Sequence, residues 1–411
     1  MKIKKLMILG AGVCQVPIIT LAKKIGLYTI VVSIDGNYPG FELGDKSYRI
    51  DVREKEKLLE IAKRENISGV LTDQTDISVP TVAYIADKMG LPGIGYDCAL
   101  RFTNKYKMRQ YCQGIGVQIP DYFQSATLED AIKFAEHIGP PIILKPVDNQ
   151  GSRGVSRVGH LIEFEEKFLK AKQYSHEGTV IIEKYISGSE VVVEGFASNQ
   201  KFTNLMIGDS ENFELDDIFI PKIRIFPTSL NDNLKKKVLI LNHRIIDSLG
   251  LNFGITHSEF LVDQNTGGIW PIEIAARGGG VFISSDLIPL SCSIDVNELL
   301  IHIAMGKHVS IDDAMIKERA SGYLCFNLPK GKIIRVDGIE AIKKIPGIHK
   351  VFLDDILVGS KTSEMRDKTQ RIGPILLFGE NRQDVKKAID DLKKTLIIDV
   401  ETAAGIEGIR W

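Results

Sequence analysis

The chain has 411 residues, a formal net charge of −1 and 44% hydrophobic residues, and this length suits two or three domains with a large core. The nearly neutral charge gives no general attraction to nucleic acid or to anionic membranes, and no apolar run approaches the length of a membrane span. The five scattered cysteines contain no C-x-x-C pair, which argues against a zinc site or a disulfide framework. They indicate reduced thiols, and we expect a cytoplasmic protein.

The first 97 residues alternate short apolar runs with segments of helical period. The apolar runs predict strands at Lys5–Leu9, Tyr28–Val32 and Gly69–Leu71. The periodic segments predict helices at Val16–Ile25, Glu54–Glu65 and Val79–Met89. Such alternation is typical of a parallel sheet with helices on its faces. We therefore expect an N-terminal α/β domain over residues 1–97.

The first predicted strand leads into Gly10-Ala11-Gly12, and Asp35 follows the second strand. This pattern matches half of the dinucleotide-binding fingerprint, but Gln15 stands where the third glycine is required. One interpretation is binding of a nicotinamide or flavin cofactor. The other, which a lone G-x-G favours, is a glycine turn that lets the helix start close to the sheet, near a substrate carboxylate.

A second unit is predicted to start near Cys98. It contains a helix at Arg101–Gly114 that carries Lys105, a helix at Leu128–Ile138, and a strand at Ile142–Lys145. The segment that follows, PVDNQGSRGV at 146–155, combines glycines and a serine between two predicted strands. The backbone N–H groups of such a loop can fold over an anion, and the lysine at the end of the strand adds positive charge.

Two other interpretations of the segment 146–155 are a P-loop and a plain glycine hairpin. The segment 146–155 is not the P-loop pattern G-x-x-x-x-G-K-[ST], so a P-loop nucleotide hydrolase is disfavoured. A plain glycine hairpin with a surface lysine stays open. Further along, the polar linker EKYISGSE at 183–190 joins predicted strands at Thr179–Ile182 and Val191–Phe196. Taken alone, this linker is an ordinary polar connection.

The most informative stretch is a predicted hairpin. The strand Gly254–Val262 is followed by the turn formers Asp263–Gly268 and a second strand from Ile269. If the hairpin closes symmetrically, Glu259 lies directly opposite Glu273. Two carboxylates about 4 Å apart repel each other by about 4 kcal/mol at an effective dielectric constant near 20. A cation between them, such as Mg²⁺, is the expected compensation, and a surface hairpin with two solvated glutamates is the alternative.

Side chains two apart on a strand share a face, which predicts what surrounds the two glutamates. Their face should also carry His257, Ala275 and Arg277. The opposite face should bury Phe260, Val262, Ile272 and Ile274.

Taken in order, these segments resemble the motifs of the ATP-grasp ligases. The set comprises Lys105, the strand Ile142–Lys145 with its glycine loop, the linker EKYISGSE, Glu259, and EIAAR at Glu273–Arg277. The resemblance covers about residues 1–310 and implies a mixed α/β and α+β fold of ATP-grasp architecture. Residues 98–310 would form a two-lobed ATP-grasp unit with ATP between the lobes and a flexible lid at about 113–186.

The resemblance also implies which residues contact ATP: Lys105, Lys145, Gly151, Ser152, Gly154, Glu183, Lys184, Ile186 and Glu190. The two lysines would meet the phosphates, and the loop Asn149–Gly154 would cover the triphosphate. The first glutamate of the linker, with the backbone near Ile186, would hold the adenine. The last glutamate of the linker would bind the ribose hydroxyls.

The resemblance further implies that Glu259 and Glu273 bind Mg²⁺ or Mn²⁺, with Glu273 bridging two ions. Arg277 would stabilise an acyl phosphate and the transition state after it, and Lys145 would share in catalysis. The substrate-contacting set would be His257, Arg277, Gly279 and Gly280. The alternative for His257 is a histidine that only supports other residues of the site or only packs in the interior. Ala275 departs from the asparagine common in the family, which puts binding of the second metal in question.

The segment AARGGG at 275–280 and the tail are most similar to the L-amino-acid ligase branch, which also resembles carbamoyl-phosphate synthase large chains. The three glycines would expose N–H groups at the start of a helix, where a carboxylate or phosphate can bind, and a tight turn is the alternative. Residues 311–411 are expected to form a small C-terminal α+β domain that closes the pocket or builds a homodimer.

The leading function is an ATP-dependent ligase that joins a small carboxylic acid to an amine. ATP would convert the acid to an acyl phosphate, and ADP and phosphate would be released. A close alternative is a carboxylase or a formyl-transfer enzyme that acts on a nucleotide precursor. An oxidoreductase that uses nicotinamide and a nucleotide-binding regulatory module without turnover are the more distant alternatives. We expect small-molecule partners only.

Overall fold

The computed structural model describes residues 3–149, 151–215 and 219–411 of the chain. Gln150, a member of the predicted glycine loop, lies outside the described residues. The chain folds into two compact units. The first comprises Met1–Ile119, Val192–Ile207 and Leu230–Lys317. The second comprises Pro120–Val191, Gly208–Ser229 and Glu318–Trp411. The predicted division into domains at 97/98 and 310/311 stays a prediction.

The first unit begins with the predicted parallel sheet. Its strands are β1 (Lys5–Leu9), β2 (Tyr28–Ser33), β3 (Lys46–Arg49) and β4 (Gly69–Leu71), in the order β3-β2-β1-β4. The helices of this segment are α1 (Val16–Lys24), α2 (Gly40–Leu43), α3 (Lys55–Glu65), α4 (Val79–Met89), α5 (Tyr96–Thr103) and α6 (Lys105–Gly114). The central strands are apolar on both faces because helices cover both. The polar edge strand β3 was not predicted, because KSYR carries no apolar pattern.

The glycine turn after β1 is filled by Gln15. A Cβ at Gly10 would lie 3.0 Å from Cγ of Gln15, and the amide of Gln15 donates a 2.8 Å hydrogen bond to the carbonyl of Asp73. The buried glutamine thus occupies the space above the turn. This geometry supports the interpretation as a turn that lets α1 start close to the sheet.

The single helix predicted at Arg101–Gly114 is wrong, because the chain breaks at Asn104. Asn104 has extended backbone angles (φ −116°, ψ 113°), and its side chain accepts a hydrogen bond from the N–H of Lys107. Asparagine is among the preferred residues for this capping position. Lys105 therefore begins a new helix, α6, instead of lying in the middle of a longer one.

The second unit contains a four-stranded sheet with the order β5-β8-β6-β7. Its elements are β5 (Tyr122–Ser125), α7 (Leu128–Ile138), β6 (Ile142–Pro146), β7 (Ser156–Val158), α8 (Phe164–Gln173) and β8 (Val180–Lys184). Neighbouring strands run antiparallel. The two helices and the sheet share a core that includes Ala131, Leu144, Phe164, Phe168 and Ile182. The predicted loop between two strands is the connection from β6 to β7.

The chain continues through a second, larger sheet. The next elements are β9 (Ser189–Ser198), β10 (Lys201–Asn212), β11 (Pro221–Phe226), α9 (Asp232–Leu249), β12 (Phe253–Val262), β13 (Ile269–Ala275), α10 (Ile288–Cys292) and α11 (Val296–Ala304). In the first unit the strand order is β13-β12-β9-β10. The boundary between the units falls within β9 and β10. No single helix in the described part of the chain is both long and apolar enough to cross a membrane.

The C-terminal segment is α+β, as predicted. Its elements are β14 (Ala320–Phe326), β15 (Gly331–Asp337), α12 (Ile339–Ile342), β16 (Ile348–Val351), β17 (Lys361–Thr362), β18 (Ile372–Gly379), α13 (Arg382–Thr395), β19 (Ile397–Thr402) and β20 (Gly405–Glu407). In the second unit one sheet has the order β10-β11-β14-β18-β16 and another has β17-β15-β19-β20. Both pack on a core with α13 that includes Phe326, Ile333, Leu377, Leu392 and Val400.

Candidate active site

The hairpin of β12 and β13 forms and places Glu259 directly opposite Glu273, as predicted, but the symmetric closure from which this pairing was predicted is wrong. Next to the turn, Val262 pairs with Ile269, so an unbroken ladder would set Glu259 opposite Ile272. A register shift immediately after Glu259 passes over Ile272 and brings Glu273 across instead. The two carboxylates therefore face each other because of a β-bulge, a feature that is over-represented beside active sites.

The two glutamates share their face of the hairpin with His257 and Ala275, which are paired across the strands. The opposite face buries three of the four apolar side chains predicted for it: Phe260, Val262 and Ile274. The prediction for Ile272 is wrong, because this side chain is only half-buried. It lies at the bulge, where the alternation of the strand is interrupted.

A lysine stands beside the facing carboxylates. The ammonium group of Lys105 lies 2.9 Å from Oε1 of Glu273, and the two side chains are 12% and 25% exposed. The break at Asn104 makes this contact available, because it places the lysine on the first turn of α6. The positive charge offsets the repulsion between Glu259 and Glu273.

Arg277, just after β13, is held by Asp76. Its Nε lies 3.0 Å from Oδ1 and its Nη2 2.7 Å from Oδ2 of Asp76, a two-point pairing of guanidinium and carboxylate. Burial opposes the positive charge of Arg277, but the attraction of Asp76, followed by that of Glu273 and Glu259, raises the pKa of the guanidinium above its ordinary value. The arginine is therefore firmly charged within this acidic group.

Two of the three glycines that follow donate their N–H groups to carboxylates of the protein itself. The N–H of Gly278 lies 3.1 Å from Oδ1 of Asp73, and that of Gly279 lies 3.3 Å from Oε2 of Glu194. A Cβ at Gly278 would approach Asp73 to 2.4 Å, so only glycine fits there. Burial raises the pKa of Asp73. Gly280 has open space beside it, and substrate binding by Gly279 and Gly280 stays a prediction.

His257 lies between two carboxylates. Its Nδ1 is 2.5 Å from Oε1 of Glu194, and its Nε2 is 3.1 Å from Oε1 of Glu259. The residue is only 4% exposed. The substrate contact predicted for His257 stays a prediction, and the geometry adds a direct contact with one of the facing glutamates.

In the second unit, Lys145 and Glu183 form a buried ion pair. The lysine Nζ lies 2.7 Å from Oε2 of Glu183, and the side chains are 13% and 4% exposed. On the neighbouring strands β6 and β8, Lys145 pairs with Ile181 and Glu183 pairs with Ile143. The two charged side chains therefore lie on one face of the sheet, two residues apart in register.

The glycine loop between β6 and β7 uses left-handed backbone at three of its described residues. Gly151, Ser152 and Gly154 have φ values of +74°, +59° and +75°. At Gly154 a Cβ would also lie 2.9 Å from atoms of Pro146 and Tyr174, so this position excludes any larger residue.

The linker after β8 is anchored by Lys184. Its ammonium group donates to the carbonyls of Ile138 at 3.1 Å and Gly139 at 2.8 Å, at the C-terminal end of α7. Ile186 lies in the connection between β8 and β9. The lysine side chain thus fixes the linker, and the predicted contacts of Lys184 and Ile186 with adenine stay a prediction.

Glu190, at the start of β9, has partners on β10 and β11. Its Oε1 lies 3.3 Å from Nη2 of Arg224, and its Oε2 lies 3.2 Å from Nδ2 of Asn212. The guanidinium also donates through Nε to Ser210 at 3.2 Å. The carboxylate is therefore held in place on its strand.

Three charged residues of these groups escaped the sequence analysis: Asp73, Asp76 and Glu194. The two aspartates directly follow β4, at the carboxyl edge of a parallel sheet, where ligands commonly bind in open α/β sheets. Glu194 stands inside the apolar run VVVEGF, and a charge in such a run is expected to be paired. Both signals were present in the sequence. Their partners lie more than 60 residues away and could not be read from it.

The sequence-predicted residues thus form separate groups. The first unit brings together Lys105, His257, Glu259, Glu273 and Arg277. The second unit pairs Lys145 with Glu183 and holds Glu190 through other partners. Within the described residues, no group of three or more His, Cys, Asp or Glu side chains is arranged to hold a metal ion.

Models of two known domain families match separate segments of this chain. Residues 138–286 match the model of the ATP-grasp domain, and residues 325–401 match that of the L-amino acid ligase C-terminal domain 2. Alanine–anticapsin ligase from Bacillus subtilis is 25% identical over 326 residues, 71% of this chain and 68% of that protein. A formate-dependent phosphoribosylglycinamide formyltransferase from Sulfurisphaera tokodaii is 21% identical over 391 residues, 93% of this chain and 94% of that protein.

Among solved structures, the L-amino acid ligase from Bacillus licheniformis has a similar fold. It superposes with a TM-score of 0.82 at 22% identity and covers 98% of this chain and 100% of its own. The chain therefore contains an ATP-grasp domain at residues 138–286, followed at residues 325–401 by the C-terminal domain 2 of L-amino acid ligases.

Proposed function

We propose that the protein is an ATP-dependent carboxylate–amine ligase that activates a small carboxylic acid and joins it to an amine. The observation that carries the proposal is the facing pair Glu259 and Glu273 with Lys105 and Arg277 beside it. A cluster of opposite charges on rigid strands can bind a metal–phosphate group. The C-terminal match to L-amino acid ligases supports an amino acid as one of the substrates.

The donor set suits magnesium bound together with a nucleotide. Mg²⁺ usually takes one or two protein carboxylates and completes its shell with water and substrate phosphates. Two facing glutamates fit this preference, since the described residues hold no group of three or more His, Cys, Asp or Glu arranged around a metal, and Mn²⁺ would bind in the same way. The methyl group of Ala275 offers no ligand atom, so a second ion would depend on Glu273, water and phosphate oxygens.

The remaining assignments follow the resemblance to the family. Lys105 and Lys145 would contact the phosphates, and the glycine loop with Gly151, Ser152 and Gly154 would cover them. Glu183, Lys184 and Ile186 would hold the adenine, with Glu190 on the ribose. In their present positions the two lysines are held by Glu273 and Glu183. We therefore propose that phosphate oxygens replace these carboxylates as partners when ATP binds.

The chemistry explains why these charges are needed. A carboxylate does not react directly with an amine, because its leaving group would be oxide. Transfer of a phosphoryl group from ATP creates an acyl phosphate with a good leaving group, and bound Mg²⁺ would neutralise charge on the phosphoryl oxygens. Arg277, held in place by Asp76, would stabilise the acyl phosphate and the negative charge that develops as the amine attacks.

A second candidate keeps the activation step and changes the partners. The similarity to a formyltransferase that uses formate extends over 93% of this chain, which favours a one-carbon acid as an alternative substrate. Carboxylation with bicarbonate belongs to the same class. In both alternatives the acid is smaller than an amino acid and the acceptor is a nucleotide precursor.

A substrate screen tests the proposal. Purified protein with ATP and Mg²⁺ is incubated with single amino acids, pairs of amino acids, small diacids, formate and bicarbonate, and ADP release is recorded. We expect release only with a suitable acid, and capture of the acyl phosphate by hydroxylamine as a hydroxamate. Stimulation by formate or bicarbonate alone supports the second candidate. AMP and pyrophosphate as products contradict both.

The homodimer expected from the sequence stays a prediction. Light scattering of the purified protein measures its mass directly. A particle of twice the chain mass of 45.6 kDa supports it, and a single-chain mass at micromolar concentration contradicts it.

A further inference from the structure

A fully buried carboxylate lies behind the imidazole of His257. The side chain of Glu194 is 0% exposed and that of His257 is 5% exposed, whereas Glu259 at the far end of the chain of contacts is 18% exposed. The three side chains thus lead from the interior to the surface that carries the facing glutamates. A carboxylate buried to this degree is expected to have strong partners.

Glu194 is fixed from two sides. One oxygen contacts the imidazole, and the other accepts the N–H of Gly279 at 3.3 Å. A Cβ at Gly279 would lie 2.8 Å from Oε1 of Glu194 and 3.0 Å from Nδ1 of His257, so the glycine is needed for this close approach. The carboxylate therefore has a defined place, and so does the ring that it holds.

Rigid elements carry the arrangement. Glu194 lies on β9, while His257 and Glu259 lie two apart on β12, the neighbouring strand in the sheet. One ring nitrogen contacts Glu194 and the other contacts Glu259. The two nitrogens of an imidazole are a fixed distance apart. A ring held by Glu194 therefore also fixes the position of the Glu259 carboxylate that contacts its other nitrogen.

We propose that Glu194 and His257 are positioning residues that hold the carboxylate of Glu259 ready to bind the divalent cation. The inference rests on the proposed function, because it takes Glu259 as a metal ligand. Groups that orient a metal ligand through a hydrogen bond commonly contribute about 10- to 100-fold to metal affinity. The histidine thereby has a role that does not require contact with substrate.

The test measures Mn²⁺ binding directly, by electron paramagnetic resonance of the full-length protein saturated with ADP. His257→Asn keeps an amide where Nδ1 lies and can still contact Glu194, but it cannot reach Glu259. His257→Gln places an amide near the position of Nε2 and can still contact Glu259. We expect the Asn variant to bind Mn²⁺ about 10- to 100-fold more weakly and the Gln variant to recover most of the affinity.

Two further variants complete the test. Glu194→Gln keeps the size of the buried side chain and should weaken Mn²⁺ binding less than His257→Asn. His243→Asn is the matched control, because His243 contacts Asp247 at 3.0 Å on an exposed face of α9, and its affinity should equal that of the wild type. ADP binding without metal should be unchanged in all four variants.

The outcomes separate the inference from the function on which it rests. If His257→Asn binds Mn²⁺ as the wild type does while Glu259→Gln does not, the positioning role is overturned and the ligase proposal survives. If Asn and Gln at position 257 weaken binding equally, the histidine matters only for packing, and the inference fails. A wild-type protein that binds ADP but no Mn²⁺ overturns both.

Discussion

The basic side chains proposed to meet the phosphates or the acyl phosphate, Lys105, Lys145 and Arg277, are each paired with a carboxylate of their own unit. Lys105 contacts Glu273, and Arg277 contacts Asp76 through two hydrogen bonds. These partners fix long, flexible side chains in the positions where the chemistry needs them, so less entropy is lost when a substrate arrives. Removing one residue of such an ion pair leaves the other charge buried without a partner, which lowers the free energy of unfolding.

Glu273 is the residue whose replacement should affect activity most. Glu273→Gln keeps the size of the side chain but removes the negative charge that a divalent cation requires. We expect ADP release to fall by about 100-fold or more, in the range seen when an electrostatic contact to the transition state is lost. Steady-state ADP release measures the effect, with circular dichroism to check the fold. Near-normal turnover in a folded variant contradicts the metal assignment.

Asp76 should influence the reaction through Arg277. Asp76→Asn keeps one acceptor oxygen but loses the charged two-point pairing, so the guanidinium is expected to move within its site. Misplacement of a catalytic group by about 1 Å can cost about 100-fold in rate, and we expect a decrease of that order in kcat. The Kd for ATP should change little, because the proposed ATP contacts lie elsewhere.

A matched control is available for this change. Asp35 also pairs with an arginine, Arg49, at 2.8 Å, but both side chains are exposed, by 80% and 54%. Asp35→Asn should leave kcat unchanged, since exposed ion pairs contribute little. Equal kcat values for Asp76→Asn and the wild type contradict the assigned role of Asp76.

At the scale of the elements, the sequence predicts what depends on local pattern. Apolar alternation located the hairpin of β12 and β13, and the strand–helix alternation located the parallel sheet. The only signal of the break at Asn104 is the asparagine itself, a residue that favours the start of a helix. The helical pattern continues on both sides of it, so the sequence predicts one long helix. The bulge at Ile272 leaves no signal in the sequence, although it decides which residue faces Glu259.

The partners of the site residues were beyond prediction for a different reason. Asp73 and Gln74 contact the loop after β13, where Gly278 and Phe282 donate to them at 3.1 and 3.0 Å. These residues are about 200 positions apart in sequence, so only the three-dimensional fold brings them together. Gln74, like Phe282, has a positive φ, of 58° and 60° respectively, and non-glycine residues with such angles often cluster at functional sites.

Glu65 connects α3 to two strands of the parallel sheet, β1 and β3, and makes the stability of the first unit depend on pH. The carboxylate, at the end of α3, contacts Lys5 at 3.1 Å and Lys46 and Tyr48 at 2.6 Å. Hydrogen bonds from Lys46 and then Tyr48 lower the pKa of Glu65 from 4.5 to about 2. Since the pKa is lower in the folded state, the stabilisation is complete above pH 4.5 and is lost as the pH falls toward 2.

We expect Glu65→Gln to lower the stability of the first unit at pH 6 and to weaken its dependence on pH below 4.5. The lowered pKa of Glu65 corresponds to at most about 3 kcal/mol of unfolding free energy, and solvent around the half-exposed lysines reduces this contribution. Urea unfolding in a Trp411→Phe background isolates Trp270, which lies in the first unit. Glu60→Gln, at an exposed position on the same helix, is the control. Parallel pH profiles for the wild type and Glu65→Gln exclude the assigned role.

At the scale of the whole molecule, the proposed roles are distributed over both units. The proposed metal ligands and Lys105 belong to the first unit, whereas Lys145, Glu183 and Glu190 belong to the second. The two tryptophans are also divided between the units, with Trp270 in the first and Trp411 in the second. When either tryptophan is replaced by phenylalanine, the fluorescence of the remaining tryptophan reports the unfolding of one unit at a time.

ATP with Mg²⁺ should stabilise both units against thermal unfolding if residues of both bind it. A ligand that binds only the folded state at 100 times its Kd adds about 2.7 kcal/mol, which appears as a higher unfolding midpoint. We expect both the Trp270 and the Trp411 transitions to shift upward with ATP and Mg²⁺. In Glu273→Gln, adding Mg²⁺ to ATP should raise the unfolding midpoint no further than ATP alone, because the further rise depends on the proposed metal ligand. A shift confined to the Trp411 transition contradicts the nucleotide-linked role of Lys105, Glu259 and Glu273, since the first unit would then gain nothing from the ligand that these residues are proposed to bind.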